Sequence, residues 1–214
     1  MTIRHHPDIS TLISCAAGSQ PEAMAAVVAS HISMCPRCAA ELGTMQEIGV
    51  ALFDALPPAP VTRESPVLAA RAGEAEIETI AHEPGPGDVP AHLAPLVGSS
   101  LDQISWKPLA PGVWHYPVPL SKSAKGDLRL IKVAPGKKLP DHGHNGEELT
   151  LLLRGSYHDE FGTFRTGDVA DLDDEAEHRP VADSNEGCIC LIASEKKARF
   201  KGLIARIMQP FIGM

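Results

Sequence analysis

Apolar positions recur at helical spacing over the first 56 residues of the chain. One short apolar stretch covers residues 9–17 and is closed by Gly18. The run Ser19-Gln20-Pro21-Glu22 then supplies a cap residue, a proline and an acidic first turn, which together begin a helix. Pro36 suits the first position of a further helix. We therefore predict three helices, over residues 9–17, from 21 to about 33 and from 36 to about 56.

The third predicted helix has apolar residues at a spacing of three and four, which places them along one face. They are Leu42, Met45, Gly49, Leu52 and Leu56. Such a stripe packs into the protein's own core or is held for a partner, and three short helices bury so little surface alone that both can apply. Leu42, Met45, Leu52 and Leu56 are our candidate partner-binding residues.

Two proline-rich segments within residues 57–90 interrupt the helical spacing of apolar residues. Pro57-Pro58-Ala59-Pro60 ends the third helix, because proline lacks the N–H group that a helix interior needs. The alanine-rich segment 61–81 predicts a fourth helix. Residues 83–90 are rich in glycine and proline, which is typical of an interdomain linker. We place a helical domain at residues 1–82 and the linker at 83–90.

After residue 90 the helical spacing gives way to short β-rich runs separated by Gly, Pro and Asp. The predicted strands cover residues 112–118, 128–134, 149–153, 155–161, 169–172 and 188–193. Short strands at regular spacing predict an antiparallel sandwich or barrel, which we place at 91–195. Residues 196–214 are basic with an apolar face and predict a C-terminal amphipathic helix. The fold class is α+β in two domains, a helical bundle followed by an all-β barrel.

Charge and cysteine content narrow the function. A net charge of −8 argues against nucleic acid as a direct partner and suits a basic protein partner. No apolar run reaches the length of a membrane span, so we expect a soluble cytoplasmic protein with no membrane partner. Five cysteines are an odd number, and a disulfide framework is not expected in a chain of this length. Metal or redox chemistry explains the cysteines better.

The stretch His31-x3-Cys35-x2-Cys38 has the spacing of a metal site. A histidine four residues before a cysteine lies one helical turn away, and two cysteines separated by two residues can chelate one ion. A fourth ligand is available in His6 or His5, and we favour His6. The competing interpretation is a thioredoxin-like redox pair, but that motif should follow a strand. We expect a structural zinc ion, with the following helix N-terminus favouring thiolate.

A second constellation lies in the β half, with the pattern Gly136-x5-His142-x-His144-x3-Glu148-x6-Gly155 and then His178. On a strand, the first two histidines point to the same side and the glutamate keeps that parity. Three imidazoles and one carboxylate suit Zn, Fe, Mn, Ni or Cu, and the ligand set alone does not choose among them. The alternative is a set of exposed histidines at strand ends.

Cys188 and Cys190 stand two apart in the last predicted strand. They would face the same side, and an extended strand does not let them form an unstrained disulfide with each other. Two interpretations remain open. The pair packs in the core, or one of its members is a redox target next to the metal.

These motifs resemble two known families. The β-half motif matches the first cupin motif over its whole length, and His178 matches the fourth cupin ligand. The second cupin motif is degenerate, since Arg165-Thr166-Gly167 stands where cupins usually have Pro-x-Gly. The helical half is similar to the zinc-binding anti-sigma domain, whose signature is an upstream His followed by His-x3-Cys-x2-Cys. A zinc anti-sigma domain followed by a cupin domain resembles the ChrR family of anti-sigma factors.

The resemblance implies a cytoplasmic anti-sigma factor that binds an extracytoplasmic-function sigma factor as a 1:1 heterodimer. Its helical domain would hold the two polymerase-binding domains of the sigma factor and so block transcription. A signal such as singlet oxygen or organic peroxide would end the inhibition through the cupin domain. We expect two Zn²⁺ per chain, with Mn or Fe possible at the cupin site, and no catalysis. The alternatives are a metal-dependent, dioxygenase-like cupin enzyme and a metal-sensing or storage protein.

Overall fold

Three helices form the first part of the chain in the computed structural model, which describes residues 2–59, 88–143 and 145–196 and the backbone of residues 199 and 200. They are α1 (Ile9–Ala16), α2 (Glu22–Met34) and α3 (Pro36–Asp54). Their bounds confirm the three predicted helices to within a few residues. The predicted fourth helix, residues 61–81, lies outside the described residues.

Helices α2 and α3 meet at a sharp corner. Cys35 is the one residue between them, Pro36 is the first residue of α3 as predicted, and the two helix axes bend by 119°. Within the described part of the chain, no single helix has the length and apolar character to cross a membrane. The bent pair α2 and α3 passes that test together, by length and composition only.

A short helix, α4 (Ala94–Val97), and a 3-10 turn (Leu101–Gln103) lead into a β-barrel. The described strands, in chain order, are β1 (Lys107–Ala110), β2 (Val113–Pro117), β3 (Asp127–Val133), β4 (His142–Gly143), β5 (Glu148–Asp159), β6 (Gly162–Arg165), β7 (Val169–Leu172), β8 (Glu177–His178), β9 (Val181–Ala182), β10 (Cys188–Ser194) and β11 (Arg199–Phe200). One sheet runs β1-β2-β3-β10-β5-β6, with β7 and β9 also paired to β5, and a second runs β11-β4-β8. All pairs are antiparallel. The predicted strands 149–153 and 155–161 are one long strand, β5.

Strand β5 is buried on both of its faces. Alternate residues of a strand point to opposite sides. Leu149, Leu151 and Leu153 point outwards into a core shared with the helices, whereas Glu148 and Thr150 point inwards and line a cavity. Burial on both faces explains why this part of the sequence is a nearly continuous apolar run rather than an alternating one.

Helix α2 covers the outward face of β5 and β10. Its residues Met24, Val27 and Val28 are fully buried there, together with Leu12 of α1. Burying a side chain of this size stabilises a fold by about 1.5–3 kcal/mol. The predicted helical region and β-barrel are therefore confirmed, but they share one core and are not two independently packed bodies.

Two predicted boundaries need correction. Residues 88–90 belong to the barrel rather than to a linker, because Val89 is buried and Asp88 forms an ion pair with Arg154. The predicted C-terminal helix does not begin at residue 196, since Arg199 and Phe200 form β11, which pairs with β4. Residues 83–87 of the predicted linker and residues 201–214 of the predicted helix lie outside the described part of the chain.

Gly155 lies in β5 next to the shift in its register with β10, and it provides a test of the fold. Its φ is +74°, and a Cβ atom would lie 2.1 Å from the carbonyl oxygen of Gly187. We expect Gly155→Ala to lower the free energy of unfolding by at least about 2 kcal/mol, from left-handed strain and displacement of the neighbouring chain. Urea unfolding measures this change.

Gly43→Ala is the matched control for that substitution. Gly43 lies within α3, and a Cβ atom there would meet no atom within 4 Å. We expect this variant to be stabilised by about 0.5–1 kcal/mol, because alanine restricts the unfolded chain more than glycine does. If Gly155→Ala unfolds at the same urea concentration as Gly43→Ala, β5 does not pack as closely against Gly187, in the turn before β10, as the structure indicates.

Two candidate metal sites

The first candidate metal site, site 1, lies at the corner between α2 and α3. His6, His31, Cys35 and Cys38 each offer one ligand atom, and these four atoms all lie within 4.8 Å of one another. His6 Nδ1 is 3.5 Å from Cys35 Sγ and 3.3 Å from Cys38 Sγ. The spacing His31-x3-Cys35-x2-Cys38 thus gives the predicted arrangement, because the corner brings one helical turn of α2 against the first turn of α3.

The structure distinguishes His6 from His5. His5 pairs with the barrel through its backbone, since its carbonyl oxygen accepts a hydrogen bond of 3.1 Å from the Val169 N–H group. Its ring packs on Phe164, with 4.4 Å between ring centroids. Adjacent residues of an extended segment point to opposite sides, so His6 turns away from the barrel and towards the cysteines.

His31 is oriented by a contact to the barrel. Its Nδ1 atom lies 2.9 Å from the carbonyl oxygen of Gly167 and donates to it. Nε2 is then the atom that could bind a metal ion, and it is buried with no hydrogen-bond partner among the described residues. Burial lowers the pKa of His31, although the hydrogen bond to Gly167 acts in the opposite direction. The ring is therefore held neutral, which is the form that binds a metal ion.

The donor set of site 1 fits zinc. Burial, followed by the neighbouring Cys35 thiol, raises the pKa of Cys38 to about 12. The expected effect of the helix N-terminus is therefore outweighed, and the charge of a bound cation would be needed to form the thiolate. A buried nitrogen without a partner costs about 1–3 kcal/mol unless a ligand satisfies it. Two thiolates and two imidazoles around one point are a structural zinc set.

The second candidate metal site, site 2, lies inside the barrel. His142 from β4, Glu148 from β5 and His178 from β8 offer ligand atoms within 4.8 Å of one another. His142 and His178 are directly opposite each other in the β4–β8 pair. Glu148 is buried, and a buried carboxylate is normally paired or bound to a metal ion. The fourth predicted ligand, His144, lies outside the described residues.

Both described imidazoles of site 2 are oriented by an acceptor on their outer side. His178 Nδ1 lies 2.8 Å from Asp159 Oδ2, and His142 Nδ1 lies 2.9 Å from the carbonyl oxygen of Pro140. Each ring donates from Nδ1, which directs both Nε2 atoms inwards, 3.2 Å apart. Two nitrogens bound at about 2.0–2.1 Å to one tetrahedral ion stand about 3.3 Å apart, so the arrangement fits a metal ion.

A small cavity adjoins site 2. Its volume is about 50 Å³, which is room for a few water molecules. Cys188 and Cys190 line it as free thiols, with 3.9 Å between their sulfur atoms. The contact with Cys188, followed by burial, raises the pKa of Cys190 well above its usual value. Tyr157 also lines the cavity, and its hydroxyl has no partner among the described residues.

The predicted partner-binding residues divide into two groups. Leu42 is buried, so its side chain packs in the core and its assignment to a partner surface is wrong. Met45 is half-buried against the core, and its assignment stays a prediction. Leu52 and Leu56 are exposed, by 66% and 64%. Phe53, which the helical stripe did not include, is exposed by 73%. The apolar surface of α3 is therefore at its C-terminal end.

Three residues that orient metal ligands were not predicted from the sequence. Asp159 holds His178, Gly167 holds His31, and Asp168 binds the segment that carries His6. The turn that contains Gly167 occupies the place of the degenerate second cupin motif, so the substitution of Pro-x-Gly by Arg165-Thr166-Gly167 keeps the turn. No local pattern in the sequence indicates contacts between residues this far apart.

The chain has a helical region with a candidate zinc site, packed on a cupin-like barrel with a second candidate metal site. Residues 97–198 match the family described as ChrR Cupin-like domain. The chain is 38% identical over 216 residues to the Anti-sigma-E factor ChrR of Cereibacter sphaeroides, which covers 99% of each protein. It matches a chain in the crystal structure of Rhodobacter sphaeroides SigE in complex with the anti-sigma ChrR at 37% identity and a TM-score of 0.75, covering 90% of this chain and 100% of that one. The chain belongs to the ChrR family.

Proposed function

We propose that this protein is an anti-sigma factor that binds an extracytoplasmic-function sigma factor 1:1 in the cytoplasm and prevents its association with RNA polymerase. The relative named an anti-sigma-E factor supports this class of function, as does the complex of SigE with ChrR. Inhibition of this kind needs no catalysis. It needs only a surface that occupies the polymerase-binding side of the sigma factor.

The exposed apolar end of α3 is the observation on which this proposal depends. Its residues are Ile48, Val50, Leu52, Phe53 and Leu56, each more than half exposed. Apolar side chains concentrated at the end of one helix mark a surface for a protein partner. We call these five residues the α3 apolar tip.

Charge around the helices supports a basic partner. The described helical region has five acidic residues, Asp8, Glu22, Glu41, Glu47 and Asp54. A sigma factor binds DNA and is therefore basic over part of its surface. Acidic groups at the rim speed the encounter and fix its orientation, while the α3 apolar tip supplies most of the affinity.

Zinc at site 1 would be structural, and we propose that site 2 holds a second Zn²⁺, with Mn or Fe as alternatives. When bound, a metal ion at site 1 ties the first turn of α3 to α2 and to the N-terminal segment. At site 2, His142, Glu148 and His178 would hold the ion, with His144 as the fourth ligand. Such an ion can act as a Lewis acid and bind a ligand of a few atoms.

The barrel is proposed to sense the oxidant that ends inhibition, such as singlet oxygen or an organic peroxide. The relative of 38% identity is named an anti-sigma factor, which supports regulation over the dioxygenase-like enzyme alternative. Cys188 and Cys190 line the cavity that adjoins site 2 and are the proposed redox targets beside the metal ligands. Release then follows if the altered barrel favours a state that binds the sigma factor less well.

A variant of site 2 separates sensing from inhibition. We expect His178→Ala to lose one equivalent of metal and the response to oxidant, yet to bind the sigma factor within about threefold of the unaltered protein, because the α3 apolar tip is built from other residues. Metal analysis and calorimetric titration measure these effects. His158→Ala is the control, since His158 is exposed on β5 and belongs to neither site. If His178→Ala loses sigma-factor binding while His158→Ala keeps it, the assignment of site 2 to sensing rather than to inhibition is wrong.

Complex formation is the first test of the proposed function. The purified chain should co-elute 1:1 with an extracytoplasmic-function sigma factor of its own organism in size-exclusion chromatography. A housekeeping sigma factor from the same organism is the control and should elute separately. If neither sigma factor co-elutes at micromolar concentration, the protein is not an anti-sigma factor of this kind.

A further inference from the structure

The barrel and site 1 are joined by a turn of the barrel, residues 165–169. The N-terminal segment lies along this turn. Asp168 Oδ1 accepts hydrogen bonds from the backbone N–H groups of Arg4 and His5, at 2.7 and 3.1 Å. Its Oδ2 atom accepts a hydrogen bond of 2.8 Å from the backbone N–H group of Arg165. Asp168 is 1% exposed, so three donors to a buried carboxylate give strong, charge-assisted hydrogen bonds. His6 follows directly in the chain and is thereby placed at site 1.

The same turn orients a second ligand of site 1. The carbonyl oxygen of Gly167 accepts the hydrogen bond from His31 Nδ1 and so directs Nε2 to the metal position. Gly167 has a φ of +91°, and a Cβ atom on it would lie 2.8 Å from the end of the Ile3 side chain. The left-handed φ favours glycine at this position, and a side chain there would also displace the end of Ile3. Two of the four ligands of site 1 therefore depend on one barrel turn.

The turn is also tied to the strand that borders the cavity of site 2. The Gly167 N–H donates to the Leu152 carbonyl at 2.8 Å, and the Leu152 N–H donates to the Asp168 carbonyl at 3.0 Å. Leu152 lies on β5 opposite Cys190 of β10, and Thr150, two residues before it, lines the cavity. A displacement of β5 at the cavity would therefore move the groups that hold His6 and His31.

We propose that the turn 165–169 is part of site 1, with Asp168 as a positioning residue, and that the barrel thereby sets how tightly the helical region holds its metal ion. This inference rests on the proposed metal at site 1. Removing a group that orients a metal ligand weakens metal binding by about 10–100-fold. The coupling is reciprocal, so occupation of site 1 stabilises the turn and, through it, the cavity wall.

Cobalt substitution of the full-length protein tests the proposal. Co²⁺ bound to thiolates gives a charge-transfer band in the near ultraviolet, which reports on Cys35 and Cys38 and does not arise from histidine and carboxylate ligands alone. We expect Asp168→Ala to weaken Co²⁺ binding, measured by titration of this band, by at least about tenfold. Asp168→Asn keeps one acceptor oxygen for Arg4 and His5 but places its NH2 group against the Arg165 N–H. The Co²⁺ affinity of this variant should therefore lie between those of the unaltered protein and Asp168→Ala.

Asp183→Ala is the matched control. Asp183 is another barrel carboxylate that accepts two backbone N–H groups, from Asn185 and Glu186, and it has no hydrogen bond to the helical region among the described residues. Its Co²⁺ affinity should equal that of the unaltered protein. If Asp168→Ala does not accumulate as folded protein, Asp168→Asn is compared with Asp183→Asn in the same way.

The outcomes distinguish failure of this inference from failure of the proposed function. Equal Co²⁺ affinity in the Asp168 and Asp183 variants would overturn the role of the turn, while leaving metal binding at site 1 intact. Absence of the charge-transfer band in the unaltered protein would overturn the proposed metal at site 1 and this inference with it, whereas the proposed anti-sigma function is tested separately by complex formation with the sigma factor. An equal loss in the Asp168 and Asp183 variants would show a general effect of barrel stability and would also overturn the proposed role of the turn.

Discussion

Replacing Cys38 by serine is expected to remove the metal ion from site 1 and to weaken sigma-factor binding by at least about 100-fold. A structural zinc ion contributes about 10–16 kcal/mol of apparent binding free energy in small zinc domains, so losing one of four ligands removes most of the tie between α2 and α3. The corner has no large apolar core to replace it, since Cys38 and Leu42 are the only buried residues of α3.

The loss should be confined to α3 and the N-terminal segment. Helix α2 buries Met24, Val27 and Val28 on the barrel and should keep its protection from hydrogen exchange. The amides of α3 should lose theirs. Hydrogen exchange with mass spectrometry and calorimetric titration of the sigma factor measure both effects.

Cys15→Ser is the control for this experiment. Cys15 is a half-buried free thiol of α1 that belongs to neither metal site, so its replacement tests the chemical change alone. It should leave metal content and partner affinity unchanged. If a Cys35→Ser/Cys38→Ser protein still binds the sigma factor tightly, zinc is not needed for inhibition.

An aspartate placed in the α3 apolar tip is expected to abolish binding without unfolding the protein. Leu52→Asp and Phe53→Asp should each weaken sigma-factor binding by at least about 100-fold, because a charge in the desolvated centre of an interface is both unpaired and unable to pack. Both side chains are mostly exposed in the free protein, so the melting temperature should change little.

Leu96→Asp is the matched control for the tip. Leu96 lies in α4 beside the barrel and is 43% exposed, and its replacement introduces the same charge away from α3. It should bind the sigma factor as the unaltered protein does. Leu42→Asp should instead unfold α3, since Leu42 is buried. Equal binding by Leu52→Asp, Phe53→Asp and Leu96→Asp would place the partner surface elsewhere.

The sequence was sufficient for the features that depend on local pattern. Helical spacing, Pro21 and Pro36 marked the helices, and the motif His31-x3-Cys35-x2-Cys38 needed only one helical turn and one corner to close. The strands were recognisable from short apolar runs separated by glycine and proline. In each case the residues that determine the structure are close together in the chain.

The features that the sequence did not reveal depend on distant contacts. Asp168 is 164 residues from Arg4 in the chain. The sequence around an aspartate that precedes a strand does not indicate whether its carboxylate is solvated or binds a distant segment. His5 and His6 are adjacent, and only the pairing of His5 with Val169 decides which one faces the cysteines. Leu42 and Leu52 lie on one helical stripe, but α1 and α2 cover only the first part of it.

Competition with core RNA polymerase shows whether the protein keeps the sigma factor from the polymerase. Core polymerase and the extracytoplasmic-function sigma factor are mixed with a promoter template, and run-off transcription is measured as the chain is added. We expect complete inhibition at one equivalent of the unaltered protein, the same inhibition by Leu96→Asp, and none by Leu52→Asp or Cys38→Ser. Undiminished transcription at a large excess of the unaltered, metal-loaded protein would contradict the proposed anti-sigma function.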